Sequence, residues 1–380
     1  MTAERRTRIL IVDDSAVIRS LLRAVICRDE RLEVAGTAPD GASALGCLEA
    51  VSPDLILLDV EMPVMDGLVT LRQLRARGYR IPVIMCSSLT QRGAQVTIEA
   101  LASGATDYVA KPHGQRGREE AVQALAEDLI PKIHALTSHV HQQPAILGAR
   151  RPVLFPLAAP PGPSKKLEPF NSTPAVLAIG VSTGGPAALD ILLPQLPASF
   201  PLPVLIVQHM PELFTSLLAE RLNSRCPLRV CEAAEGAPVM AGSVYIARGN
   251  WHMEVLPAAG SSARPALHLT QGPLENHCRP AVDVLFRSAA RVYGSGVLAV
   301  VLTGMGSDGL NGCRIIRQQG GGVLAQDQAS STVWGMPGAV ANAGLAHRIL
   351  SLNAIVPEIL RITGRTAAAG ELHETKRMAV

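Results

Sequence analysis

The chain has 380 residues, which suits two domains, and its 48% hydrophobic content with only 3% aromatics calls for aliphatic cores of buried parallel strands covered by helices. A net charge of +3 that is not gathered into a basic stripe argues against nucleic acid. With no apolar run near the roughly 20 residues of a membrane span and no signal-type N-terminus, a cytoplasmic protein without membrane insertion is expected, while seven scattered cysteines lacking any Cys-x-x-Cys speak for neither a disulfide framework nor a structural zinc site.

Arg8 to Val12 reads as a strand that ends at Asp13-Asp14-Ser15. Strand and helix patterns then alternate: Leu32 to Gly36, a helix from Gly41 to Val51, Leu55 to Leu58 ending at Asp59, a helix from Gly67 to Arg77, Val83 to Cys86 ending at Ser87, a helix over Gln91 to Ala102, and Tyr108-Val109 ending at Lys111-Pro112. Five such βα units predict a doubly wound parallel sheet, in which ligands bind beyond the carboxyl ends of the strands. Those ends carry Asp13, Asp14, Asp59, Ser87 and Lys111. Any one of these taken alone is a solvated strand-end residue, but five at one edge form a site. Three converging carboxylates repel unless a cation intervenes, and an oxygen-only ligand set suits Mg²⁺ shared with a phosphoryl group, whose oxygens Lys111 and Ser87 could hold.

The stretches Val12-Asp13-Asp14-Ser15, Leu58-Asp59-Val60-Glu61-Met62-Pro63-Val64-Met65-Asp66-Gly67, the serine after Val83-Ile84-Met85-Cys86, and Lys111-Pro112 resemble the receiver domain of two-component response regulators over residues 8 to 125. The resemblance implies a flavodoxin-like five-stranded parallel sheet. It also implies that Asp59 accepts a phosphoryl group from a histidine kinase, that Asp13 and Asp14 help bind Mg²⁺, and that Ser87, Tyr108 and Lys111 report phosphorylation to an output surface.

An amphipathic helix from Val122 to Ala135 closes this unit, and His139 to Pro174, with Ala158-Ala159-Pro160-Pro161-Gly162-Pro163 inside it, reads as an extended or disordered linker. The expected divisions are thus 1–125, a closing helix and linker over 126–174, a second α/β domain over 175–365, and a disordered tail over 366–380.

The second domain restarts with an apolar run, Ala175 to Ile179, that enters Gly180-Val181-Ser182-Thr183-Gly184-Gly185-Pro186. Pro186 opens a helix, so Ser182 stands at a strand-to-helix turn where amides favour negative charge, in a Gly-x-Ser-x-Gly pattern. That suits a nucleophilic serine beside an oxyanion site; from this stretch alone, a glycine-rich phosphate or dinucleotide loop stays open. Strand Val204 to Val207 ends at Gln208-His209-Met210, a less regular β-rich patch runs through Val244 to Ala247, Glu254-Val255 and Leu267 to Thr270, and a helix from Val282 to Val292 leads to strand Val297 to Leu302. Thr303-Gly304-Met305-Gly306-Ser307-Asp308-Gly309 follows, then a helix to Gln319. A serine, a histidine and an aspartate therefore each follow an apolar strand, the arrangement a Ser-His-Asp triad needs. Of the other histidines, His252, His268, His277 and His347 have strand-interior or loop positions, and Asp308 competes with a role as a cap of the next helix.

These motifs, with Arg279-Pro280-Ala281-Val282-Asp283-Val284-Leu285-Phe286 and Gly335-Met336-Pro337, closely resemble the chemotaxis protein-glutamate methylesterase domain over about 175 to 365. Carried over by position, the resemblance implies Ser182 as nucleophile, His209 as general base then acid, Asp308 as orienting carboxylate, and Thr183 and Met305 as oxyanion neighbours. It implies hydrolysis of glutamyl γ-methyl esters on chemoreceptor cytoplasmic helices, with deamidation of receptor glutamines and no cofactor for the hydrolysis itself. Phosphorylation at Asp59 is expected to move an inhibitory receiver off the site. A DNA-binding output is disfavoured because residues 171 to 365 hold 13 Arg and no Lys against 11 acidic residues, without a compact helix-turn-helix. A nucleotide-binding output is disfavoured because Val204 to Val207 leads to Gln208-His209 rather than to an acidic residue.

Overall fold

Short aliphatic strands, buried on both faces at the centre of each sheet, build two separate parallel sheets. They are seen in a computed structural model that describes residues 5–88, 90–111, 117–138, 172–258 and 264–364. Pro112, most of the expected linker and the tail from 366 lie outside the described residues.

The first unit runs β1 (Thr7–Val12), α1 (Ala16–Ile26), β2 (Leu32–Ala38), α2 (Gly41–Val51), β3 (Leu55–Asp59), α3 (Gly67–Ala76), β4 (Val83–Ser87), α4 (Gln91–Ala102), β5 (Asp107–Ala110) and α5 (Arg118–Thr137). Its sheet has the order β2-β1-β3-β4-β5, with every pair parallel. Side-chain caps fix where the helices begin: Ser15 for α1, Asp40 for α2, Asp66 for α3 and Thr90 for α4 each accept from an amide one turn in. The closing helix is longer than its apolar periodicity predicts, because Glu119 and Glu120 suit the first turn of a helix and carry it back to Arg118. It packs on α1, so the expected boundary at 125 falls inside a helix of the receiver unit.

The second unit runs β6 (Val176–Val181), α6 (Gly185–Leu192), β7 (Val204–Gln208), α7 (Glu212–Asn223), β8 (Arg229–Glu232), β9 (Ser243–Ile246), β10 (His252–Leu256), β11 (Ala266–Thr270), α8 (Val282–Tyr293), β12 (Val297–Val301), α9 (Leu310–Gln318), β13 (Gly322–Gln326), α10 (Met336–Asn342), β14 (Arg348–Leu350) and α11 (Leu352–Ile362). Seven strands form one parallel sheet in the order β14-β13-β12-β6-β7-β9-β8. The β-rich patch divides: β9 joins that sheet, whereas β10 and β11 pair antiparallel apart from it. Because β7 lies on one side of β6 and β12 on the other, the chain order reverses at β6, which makes its carboxyl end the natural crevice.

The two units meet where α4 packs against α6 and α7. A single buried apolar cluster includes Ile98 and Leu101 of α4 together with Leu189 of α6 and Phe214 of α7. Among the described residues no helix is long and apolar enough to cross a membrane.

Candidate active site

Strand register brings Ser182 and His209 side by side. Val181 pairs with Gln208 at the end of the β6–β7 ladder, so the next residues, Ser182 and His209, start from neighbouring strands about 4.8 Å apart. On the other side of β6, Ser182 N–H donates to the Thr303 carbonyl at 3.0 Å, tying the serine turn to the end of β12. Gly184 caps α6 with φ +77, a left-handed conformation that lets the chain turn from strand into helix within three residues.

Asp308 reaches His209 from the β12–α9 loop. Its Oδ2 lies 2.8 Å from His209 Nε2 and accepts the Val282 N–H at 2.6 Å. Oδ1 accepts from Asn276 Nδ2 at 2.8 Å, the Asp283 N–H at 3.0 Å and the Gly309 N–H at 2.9 Å. The aspartate is indeed a helix cap, but of α8 from a distant segment, so capping and orienting the ring are one arrangement. Burial works against its charge, yet the His209 bond and the Val282 and Asp283 amides hold its carboxyl below the usual range. The neighbouring Asp283 goes the other way: burial raises it, the Gly312 amide opposing and the Asp308 charge adding. Two adjacent carboxyls are thereby pushed apart, Asp308 down and Asp283 up.

With Nε2 on Asp308, the other ring nitrogen faces the cleft. Nδ1 lies 3.5 Å from Cys278 Sγ, and the Ser182 hydroxyl makes no hydrogen bond among the described residues. Burial favours the neutral ring, but the bonds to Asp308 and Cys278 outweigh it and raise His209 from 6.5 to about 9. The amides of Thr183 and Met305 carry no bond to another described backbone group. Ser182, Thr183, His209, Cys278, Arg279 and Met305 line one cleft of 750 Å³; Asp308 lies behind the histidine. His277 also lines it, from a turn in which both Asn276 (φ +51) and His277 (φ +62) are left-handed, whereas His252 is buried against Pro273 and Ala281.

The receiver forms the opposite wall. Asp107, Tyr108, Asp128 and Lys132 line the same cleft. Thr183 Oγ1 donates to Asp107 Oδ2 at 2.8 Å, and the Tyr108 ring stacks on Phe214 with centroids 4.6 Å apart. Burial pushes the Asp107 carboxyl up, with Lys132 and the Thr183 bond opposing. Met305 packs against the receiver cluster that contains Val122 and Leu125.

At the receiver's own strand ends, register again gathers the expected residues. Val12 pairs with Leu58, which sets Asp13 beside Asp59, and Asp59 pairs with Cys86, next to Ser87. Oxygens of Asp13, Asp14 and Asp59 lie within 4.8 Å of one another. Lys111 Nζ is 2.8 Å from Asp13 and 2.6 Å from Asp59. Burial raises the Asp59 carboxyl, and Asp13 adds to this against the pull of Lys111. Lys111 itself is raised, since the two carboxylates overcome its burial. A hard cation of high charge fits this donor set: all ligands are oxygens, they are preassembled, and they carry more negative charge than one lysine balances. Ser87 is buried at the edge of the same group, its hydroxyl donating to the Ser88 carbonyl at 3.1 Å. Tyr108 faces away from it, into the domain contact.

Sequence reasoning did not single out Gln208, Asn276, Cys278 or Asp107. Gln208 left a readable trace, an amide ending a strand otherwise wholly apolar; the other three arrive through tertiary contacts with no local sign.

Comparison with known proteins agrees with both halves. Residues 9–132 match the response regulator receiver domain and residues 177–359 the CheB methylesterase family. A protein-glutamate methylesterase/protein-glutamine glutaminase of Trichodesmium erythraeum (strain IMS101) is 49% identical over 364 residues, covering 94% of this chain and 99% of that relative. One of Nocardioides sp. (strain ATCC BAA-499 / JS614) is 48% identical over 361 residues, covering 94% and 96%. The crystal structure of the Thermotoga maritima CheB methylesterase catalytic domain has 39% sequence identity and a TM-score of 0.48, covering 50% of this chain and 100% of that domain. The chain therefore belongs to the CheB methylesterase family, in the form that carries a response regulator receiver domain ahead of the catalytic one.

Proposed function

We propose that this chain is a cytoplasmic protein-glutamate methylesterase and protein-glutamine glutaminase of chemotaxis adaptation, switched by phosphorylation of its receiver. The observation that carries the reading is the register of Ser182 beside His209 with Asp308 on the far ring nitrogen. Ser182 Oγ attacks the glutamyl ester carbonyl of a methylated chemoreceptor helix, and its proton passes to His209 Nδ1, the nitrogen left free by Asp308. Amides at Thr183 and Met305 stabilise the oxyanion. The C–O bond to methoxide breaks as His209 returns the proton, methanol leaves, and water, deprotonated by the same ring, releases glutamate from the acyl-serine. A receptor glutamine follows the same course with ammonia as leaving group.

The receiver contact supports a closed state in this reading. In it the Ser182 hydroxyl is not yet bonded to the ring, and the wall formed by Tyr108, Asp128 and Lys132 narrows the room for a receptor helix. Catalytic hydrogen bonds are often completed only with substrate bound. Asp13, Asp14 and Asp59 would hold Mg²⁺, which when bound offsets the charge on the carboxylates and on phosphoryl oxygens. Asp59 accepts the phosphoryl group from a histidine kinase, Lys111 shifts from the carboxylates to the new oxygens, and Ser87 and Tyr108 convey the change. Because Tyr108 stacks on Phe214, its movement biases the domain contact directly.

The deciding experiment is methanol release from methylated receptor by Ser182→Ala. A loss of about 10³-fold or more is expected for a member of a triad; turnover near that of the wild type would end the assignment.

A further inference from the structure

The ladder between β6 and β7 stops just short of the two residues it serves. Its last pairing is Val181 with Gln208, and its last bond runs from the His209 N–H to the Val181 carbonyl at 3.2 Å. One residue on, Ser182 turns toward α6 and His209 toward α7, so no strand hydrogen bond fixes one against the other. The Gln208 side chain spans that gap. Its Nε2 donates to the Ser182 carbonyl at 3.0 Å and to the His209 carbonyl at 3.3 Å.

Two further features say that this amide is held there against a cost. Gln208 is 2% exposed, in a strand whose other residues are all apolar, and its Oε1 has no hydrogen-bond partner among the described residues. An acceptor buried without a bond is destabilising, and an apolar side chain of the same size would avoid that. Gly185, the first helical residue of α6, leaves room for the amide: an added Cβ there would come within 1.9 Å of Oε1 and 2.7 Å of Val181 Cγ2. The amide thus sits between strand, turn and helix start with its donor aimed at two carbonyls.

We infer that Gln208 is a positioning residue for ester hydrolysis, its side-chain amide holding the Ser182 and His209 backbones in register so that hydroxyl and imidazole meet. This rests on the triad reading above. A misplacement of about 1 Å between nucleophile and base costs about 10²-fold in rate.

The test uses the full chain, methylated receptor membranes and a small acyl phosphate as phosphodonor. Gln208→Glu keeps the volume but, when ionised, sets a carboxylate against the two carbonyls. Its kcat is expected to fall by about 10²-fold with KM changed by less than about threefold. As the pH is lowered the new carboxyl takes up a proton and regains one O–H donor, so the ratio of variant to wild-type kcat should climb. A packing role would instead leave the kcat of an uncharged variant of the same size near that of the wild type. Gln208→Met, which keeps size without any donor, is expected to show the same loss of kcat at every pH and a melting temperature close to that of the wild type. Wild-type kcat in either variant, or a pH-independent deficit in Gln208→Glu, overturns the inference and leaves the triad standing. If instead the wild type released no methanol, or Ser182→Ala matched it, the triad reading itself would fall and this inference with it.

Discussion

Asp308→Asn exchanges one oxygen for an NH₂ group and leaves the shape alone, so it isolates what the charge does. The carboxylate accepts five hydrogen bonds, three at Oδ1 and two at Oδ2. An amide must turn its NH₂ toward one of these sets and there meets at least two donors. Facing the smaller set, it confronts the Val282 N–H and leaves His209 Nε2 only as an acceptor, which transfers the ring proton to Nδ1. The nitrogen that should take the serine proton is then occupied, and kcat is expected to drop by about 10³- to 10⁴-fold. The ring's titration should move as well. Its rise from 6.5 to about 9 prevails over burial through Asp308 first and Cys278 second, and corresponds to roughly 3 kcal/mol of imidazolium stabilisation. The rising limb of kcat/KM, which follows the free enzyme's base, should lie toward pH 9 in the wild type and at lower pH in the variant. Stability follows the same linkage. A ring with a raised folded pKa adds stability below 6.5 and loses it through about 9, while the lowered Asp308 adds stability above the usual carboxylate range. The melting-temperature gap between wild type and variant is therefore expected to be widest from the usual carboxylate range up to about 6.5 and to narrow through about 9 without closing, since the Val282 and Asp283 amides still favour the carboxylate. Methanol release over a pH series, with melting curves at the same pH values, measures both. A limb that stays in place, or a kcat within tenfold of wild type, would refute the reasoning.

Other perturbations separate regulation from chemistry. Asp59→Asn should abolish stimulation by a phosphodonor while leaving the unstimulated methanol release unchanged; stimulation that survives would place the phosphoryl group elsewhere. Asp107→Ala removes the acceptor of the Thr183 hydroxyl. A hydrogen bond contributes about 0.5–1.5 kcal/mol net, so the domain contact should loosen by up to about tenfold. Unphosphorylated activity should rise by a similar factor, and an unchanged or lower rate would mean that the receiver contact does not restrain the site. Cys278→Ala takes away the sulfur 3.5 Å from His209 Nδ1. The rising limb of the pH profile should move to lower pH with its alkaline plateau kept, whereas an unmoved limb would assign the ring's titration to Asp308 alone.

Strand ends read from the sequence showed where the polar residues of both units would gather. In a parallel sheet whose strands are buried on both faces, the apolar run ends where the backbone leaves the core, and every such end falls on one edge. Asp13, Asp59, Ser182 and His209 could therefore be located from strand ends alone, and the register places each beside its expected neighbour. The helix starts expected at Gly41 and Gly67 are where α2 and α3 begin, and the structure gives the local reason, since Asp40 and Asp66 cap them. Tertiary structure alone decided which ring nitrogen meets Asp308, because that depends on a side chain 99 residues away. It also decided that Asp308 caps α8 rather than the helix that follows it, that Asn276 and Cys278 reach the site through a left-handed turn, and that Asp107 of the receiver bonds Thr183. Periodicity and caps are properties of neighbouring residues, and so a sequence displays them. The direction of a hydrogen bond between distant segments is fixed only when the packed cores bring those segments together and burial leaves each polar group with few possible partners.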